Sequence, residues 1–266
     1  GEILVGEDTF RQAMGHFSFE RHKTEAVKGK SEPVRIFKVT GIREKPEKML
    51  RASGRRARLV GRDKEVSVLS EALSGLKQGK GGVISIVGDA GTGKSRLVEE
   101  IKSDYITANV KWYHGHAFAY SQNMPYFIII DCWNRAFAIS EGEPRDQIRQ
   151  KIESSIQAIV PDSREVIPYI ASLYSIEYAE TENISPEFWR AKLYESFGLI
   201  LSAIASKSPV VIYLEDLHWA DPSSAALLRM INADLNLAVL FLFVYRPFSQ
   251  LSEIASSAAG KKTGRQ

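Results

Sequence analysis

A single cysteine, Cys132, in 266 residues excludes an internal disulfide and a cysteine-ligated zinc site. That scarcity suits a reducing cytoplasm, and Cys132 reads as a small buried apolar residue rather than a nucleophile. Long hydrophobic runs are also missing. The longest, which contains Ala238 to Tyr245, falls far short of the ~20 residues that carry a helix across a bilayer, so no membrane span is expected. The chain opens at Gly1 without an initiator Met and without the charged segment and apolar core of a signal peptide, so it reads as a piece of a longer protein. Charge of one sign is scarce as well, because 35 basic residues nearly balance 32 acidic ones and leave +3. That balance is too small to imply a nucleic-acid partner by itself.

The charge is unevenly placed. Between Arg43 and Arg62 eight basic residues stand against Glu44 and Glu47, a local +6, so the rest of the chain sums to −3. The same stretch carries Pro46 and Gly54 and no apolar period, as a solvated linker does. A phosphate-binding or nucleic-acid-binding patch is the alternative. Composition over the whole chain, 44% apolar and 25% charged, is that of a globular protein.

The most informative string is GDAGTGKS: Gly88, Asp89, Ala90, Gly91, Thr92, Gly93, Lys94 and Ser95. It matches the phosphate-binding loop G-x-x-x-x-G-K-[ST], and it lies where that loop must lie. The apolar run Val83 to Val87 precedes it, and a helical pattern through Leu97, Val98 and Ile101 follows. The glycines let successive backbone N–H groups face one anion, and the helix N-terminus adds partial positive charge. Lys94 is placed to reach the β and γ phosphates and Ser95 to hold Mg²⁺. A nucleoside triphosphate is the expected ligand; ATP against GTP stays open.

About 120 residues later, SPVVIYLEDLHWADP puts Glu215 and Asp216 at the C-terminal end of an apolar strand, where an open α/β sheet presents its ligands. Glu215 is assigned to the metal and Asp216 to the attacking water, with the reverse order open. Asp221 before Pro222 reads as the cap of a helix carrying Leu227, Leu228 and Ile231. His218 and Trp219 read as packing beneath the loop, with an approach to the nucleotide as the alternative. His114 and His116, two apart, share one face of their strand; with no third ligand in view they read as structural. Arg246 ends the next apolar strand, beside Glu215 if the strands take the usual order, and a guanidinium there suits a γ-phosphate.

Strand and helix alternate after the linker, the mark of a parallel sheet covered on both faces. Strands are expected at Val83 to Val87, Val110 to Phe118, Val210 to Leu214 and Val239 to Tyr245. Helices are expected at Asp146 to Val160, with Ile148, Ile152, Ile156 and Ile159 on one face, and at Phe188 to Ile204, with Phe188, Ala191, Tyr194, Phe197, Leu201 and Ile204. Before the linker, a short helix around Thr9 to Met14 and strands at Phe17 to Glu20 and Val34 to Val39 are expected. About forty residues cannot bury much core alone, so this segment leans on a neighbour or ends something larger.

The phosphate loop, EDLHWAD and YRP at Tyr245 to Pro247 together resemble the signal-transduction ATPases with numerous domains, the STAND class of P-loop NTPases. In that class LVGR, here Leu59 to Arg62, opens the domain near the adenine, so Arg62 joins the expected nucleotide-binding residues. NMPYFIIIDCW, ending at Trp133, resembles the helix start after their second strand. The first forty residues resemble the C-terminal end of a class III nucleotidyl cyclase domain, in which the lysine corresponding to Lys28 lies near the substrate phosphates. The family's metal-binding aspartates and transition-state residues lie upstream of what is retained, so cyclic AMP formation is not expected from this chain. Cyclase followed by STAND ATPase is the order of soluble adenylyl cyclases and many bacterial relatives.

The expected fold is therefore α/β, a P-loop NTPase with a central parallel sheet flanked by helices, preceded by a small α+β cyclase remnant. The expected organisation is remnant 1–42, basic linker 43–58, ATPase core 59–247 and truncated tail 248–266, ending before the last strand and winged-helix lid that the resemblance implies. No candidate arginine finger is present, so binding should be easier to detect than turnover. The implied function is a regulatory ATP and Mg²⁺ switch reporting to a cyclase domain, with a second copy or another protein as partner. A STAND-type DNA-associated regulator is the alternative.

Overall fold

The structure, a computed structural model, describes residues 2–7, 9–10, 14, 17–25, 33–42, 61–105, 109–234 and 237–247. The basic linker, Lys28 and the tail lie outside the described residues, as do Leu59 and Val60 of the LVGR string. The chain divides into two compact units, Gly1–Arg58 and Leu59–Gln266.

The first unit is an antiparallel sheet of β1 (Leu4–Gly6), β2 (Phe17–Glu25) and β3 (Val34–Ile42), with β3 in the centre. The second and third strands run longer than their apolar cores indicate, and their pairing shifts register between Ser18 and Phe19 and between Arg21 and Lys23. Phe10 stacks on Phe37 at 4.0 Å and meets Phe19 edge-on at 5.1 Å, which supplies this small sheet with an aromatic contact. Thr9 and Phe10 are helical; the middle of the expected helix, 11–13, lies outside the described residues.

The second unit begins with α1 (Asp63–Lys77), then β4 (Gly82–Val87), α2 (Lys94–Tyr105) and β5 (Lys111–His116). A helical block follows: α3 (Phe127–Ala136), α4 (Arg145–Ile159), α5 (Ile167–Ser172) and α6 (Pro186–Ala205). The chain closes with β6 (Val210–Glu215), α7 (Pro222–Asp234) and β7 (Val239–Tyr245). The four strands are parallel and ordered β4-β7-β6-β5.

The period of two along β7 sorts its side chains into two cores. Val239, Phe241, Phe243 and Tyr245 face a large cluster with α3, α4, α6 and α7, whereas Leu240, Leu242 and Val244 face a smaller one with Leu69, Leu73 and Leu76 of α1 and Leu97, Val98 and Ile101 of α2. All seven β7 residues are buried, as a strand covered on both faces requires.

Local signals set the helix starts. Ser185 accepts a hydrogen bond from the Phe188 amide at 3.2 Å, and Pro186 occupies the first turn of α6. In α4, Ile152 and Ile156 are fully buried while Ile148 and Ile159 pack at the margin of the core. The apolar face expected for α6 needs correction. Phe188 is 48% exposed and Ala191 is also exposed, and the buried stripe runs through Leu193, Phe197, Ile200, Leu201 and Ile204. Trp189, beside Phe188 in the first turn, packs against the core, so the buried face is rotated from the expected one toward Trp189, Leu193 and Ile200.

Candidate functional site

The C-terminal ends of the strands bring the site together. After Val87 the chain turns so that the Gly88 amide donates to the Tyr245 carbonyl at 3.3 Å, pinning the loop to β7. Gly91 and Gly93 sit at φ +78° and +82°, a region where a side chain costs roughly 1–2 kcal/mol. Thr92 closes the turn by donating its hydroxyl to the Asp89 carbonyl at 2.9 Å. Helix α2 starts at Lys94 with no acidic residue in its first turn, which leaves its positive end uncompensated.

Lys94 Nζ donates to the carbonyls of Gly88 at 2.8 Å and Asp89 at 2.7 Å, so its ammonium lies over the loop. The Ser95 hydroxyl donates to Oε1 of Glu215, joining the loop to the end of β6. The other oxygen of Glu215 is 3.3 Å from Nε2 of His114. Burial raises the Glu215 carboxyl, but His114, Ser95 and Tyr213, with the charge of His116, outweigh burial and hold its pKa at about 2. A hydroxyl and an ionised carboxylate side by side are hard oxygen donors, the set that suits Mg²⁺ beside a bound triphosphate.

Asp216 follows with φ +53°, and its Oδ2 lies 3.1 Å from Nε2 of His116. Each carboxylate is thus faced by one histidine of β5. The register pairs His114 with Tyr213 and His116 with Glu215, and the His114 ring lies flat on Tyr213 at 4.5 Å. The shared face of the two histidines is legible from their spacing alone; their carboxylate partners depend on β5 lying next to β6.

Arg62 donates from Nη2 to the Thr92 carbonyl at 2.9 Å and pairs through Nη1 with Glu65 at 2.7 Å, so it braces the loop from the start of α1. Arg246 stands exposed just past β7, between the strand ends carrying the loop and Glu215. His218 and Trp219 occupy a short 3-10 turn, Leu217–Trp219, and the His218 side chain is only 10% exposed.

Asp221 caps α7 as its position before Pro222 implies, its Oδ1 accepting from the Ser224 amide at 2.9 Å. It also accepts from the amides of Tyr126 at 2.9 Å and Phe127 at 3.2 Å, at the start of α3. Cys132 is buried, and burial first, then Asp131, pushes its thiol up to about 12, far from a reactive thiolate.

A parallel sheet flanked by helices, with a phosphate loop after one strand and paired acids after another, defines a P-loop nucleotide-binding protein. The sequence model of the AAA ATPase domain matches residues 58–244, and the chain belongs to that family. It is also similar to an uncharacterized protein of Rhizobium meliloti (strain 1021), with 24% identity over 241 residues. The match covers 85% of this chain and 22% of the length of that relative. Among the described residues no helix is long and apolar enough to cross a membrane.

Proposed function

We propose that residues 59–247 form an ATP-binding regulatory module that hydrolyses ATP slowly with Mg²⁺ and reports its nucleotide state to a nucleotidyl cyclase domain of the same polypeptide. The observation that carries the nucleotide part of this reading is the Ser95 to Glu215 hydrogen bond, which joins the two halves of the motif across 120 residues.

The roles follow from position. Backbone amides of 88–95 and the α2 N-terminus take the phosphates, and Lys94 exchanges its loop carbonyls for phosphate oxygens. Ser95 and Glu215 would hold Mg²⁺, which would supply positive charge beside the phosphates. Asp216 orients the attacking water and takes its proton as the new bond to the γ-phosphorus forms and the bond to the ADP oxygen breaks. Arg246 lies where a guanidinium meets the γ-phosphate, and Arg62 holds the loop near the adenine side. The link to a cyclase rests on the resemblance of residues 1–42 and on their order ahead of the ATPase.

The test is equilibrium binding of labelled ATP with Mg²⁺ to the full chain and to Lys94→Ala. The expected result is saturable binding by the wild type and a loss of about tenfold or more in the variant, the scale of one charge-assisted contact. Equal binding by both proteins overturns the reading.

A further inference from the structure

We infer that His218 tells a triphosphate from a diphosphate, its imidazole N–H donating to the terminal phosphate of the bound nucleotide. This rests on the ATP-binding reading above and adds a residue to it.

Three observations converge on this side chain. First, Nδ1 and Nε2 of His218 are both buried and both lack a hydrogen-bond partner. An unpaired buried polar group carries its full desolvation cost, about 1–3 kcal/mol, so a ring with two such atoms is an unusual thing to keep. His116 is hydrogen-bonded to Asp216 at 3.1 Å, and Nε2 of His114, though it makes no hydrogen bond, stands 3.3 Å from the Glu215 carboxylate; neither nitrogen of His218 has a carboxylate that close. The Asp216 oxygen facing His218 lies 3.8 Å from Nδ1, beyond hydrogen-bonding distance.

Second, the one carboxylate beside the ring, Asp216, is faced by His116 and is opposed at His218 by the positive charges of Arg246 and Lys94. Burial, and the positive charges of Arg246 and Lys94 against the opposing pull of Asp216, lower the His218 pKa and keep the imidazole neutral near pH 7. A neutral imidazole retains one N–H donor, and two cations near it mark a place for an anion.

Third, the position is at the far end of the phosphate path. Lys94 belongs to the loop, whereas Arg246 and Asp216 belong to the strand ends beyond it. His218 stands with Asp216 and Arg246 at the strand ends, the side on which the proposed contacts to the γ-phosphate lie. Turning the ring toward that phosphate breaks no hydrogen bond, because the ring makes none.

The test compares the affinities of the full chain for a non-hydrolysable ATP analogue and for ADP, both with Mg²⁺, in wild type, His218→Phe and His218→Asn. The expected result is a loss of about tenfold for the triphosphate in His218→Phe, with ADP affinity within about twofold and partial recovery in His218→Asn. As a check that needs no variant, the ¹⁵N imidazole resonance of His218 in the wild type should move with the analogue and stay in place with ADP. An ATP to ADP affinity ratio insensitive to both substitutions, or a resonance that moves equally with the two nucleotides, overturns the inference while leaving nucleotide binding intact. A wild type that binds neither nucleotide overturns the ATP-binding reading and this inference with it.

Discussion

Replacing Asp221 with alanine should be among the most destabilising single changes in the nucleotide-binding unit. The carboxylate is 2% exposed and accepts four hydrogen bonds: Oδ1 from the Ser224 and Tyr126 amides, Oδ2 from the Phe127 amide at 3.2 Å and the Ser224 hydroxyl at 2.6 Å. One side chain therefore closes the N-termini of α3 and α7, which are about 95 residues apart in sequence. Loss of an N-cap costs about 1 kcal/mol, and each buried amide left unpaired costs roughly 1–3 kcal/mol, partly recovered where water enters. The sum is about 3–5 kcal/mol for Asp221→Ala, in the tail of the distribution for point substitutions. Asp221→Asn keeps one acceptor oxygen but turns an amide donor toward the Phe127 or Ser224 groups, so it should cost about 2 kcal/mol. Ser224→Ala, which removes only the hydroxyl, should cost about 1 kcal/mol. Urea unfolding followed by tryptophan fluorescence reads the right unit, because all four tryptophans, Trp112, Trp133, Trp189 and Trp219, lie after residue 58. A cost below about 1 kcal/mol for Asp221→Ala, or an asparagine variant no better than alanine, refutes the double-cap account.

Gly115→Ala tests the packing of α3 on β5: a methyl group there would lie 2.6 Å from the Ile128 carbonyl oxygen and 3.1 Å from Cβ of Cys132. Backbone cannot yield cheaply, so a loss of about 1–3 kcal/mol is expected in the same urea assay, and a loss under about 0.5 kcal/mol would count against the packing described. Glu215, held near pKa 2 against an ordinary 4.5, stabilises the fold fully above pH 4.5 and loses that contribution as pH falls toward 2. Measured in EDTA, the stability difference between wild type and Glu215→Gln should therefore shrink from pH 5 to pH 2.5; a constant difference contradicts the carboxylate's network.

Much of the second unit was legible in the sequence because its signals are local. Val239 to Tyr245 is a continuous apolar run, and the strand has those bounds. Gly88 to Gly93 form a loop between β4 and α2 because glycines at 91 and 93 admit positive φ. Features that depend on distant partners were not legible. Nothing in the neighbourhood of His114 indicates Glu215, since their contact arises from the lateral order of strands. Asp221 announces its own helix through Pro222 but not the second helix it caps. Phe188 has the right spacing for the α6 stripe and is still largely exposed, because the helix is apolar on more than one face and Trp189, one residue on, takes the core-facing place. The short β1 pairs with β3 through only three residues, too few to show a pattern.

The placement of β7 between β4 and β6 has a mechanical consequence. The strand is clamped on both sides by parallel neighbours and buried along its whole length, yet it ends at Tyr245, whose carbonyl holds the loop, and releases the chain at Arg246. Whatever is covalently attached after Pro247 is anchored at the middle of the site rather than at its rim. Under the role proposed for Arg246, a guanidinium drawn toward an arriving phosphate would tug directly on that tether, and loss of the phosphate would let it go slack.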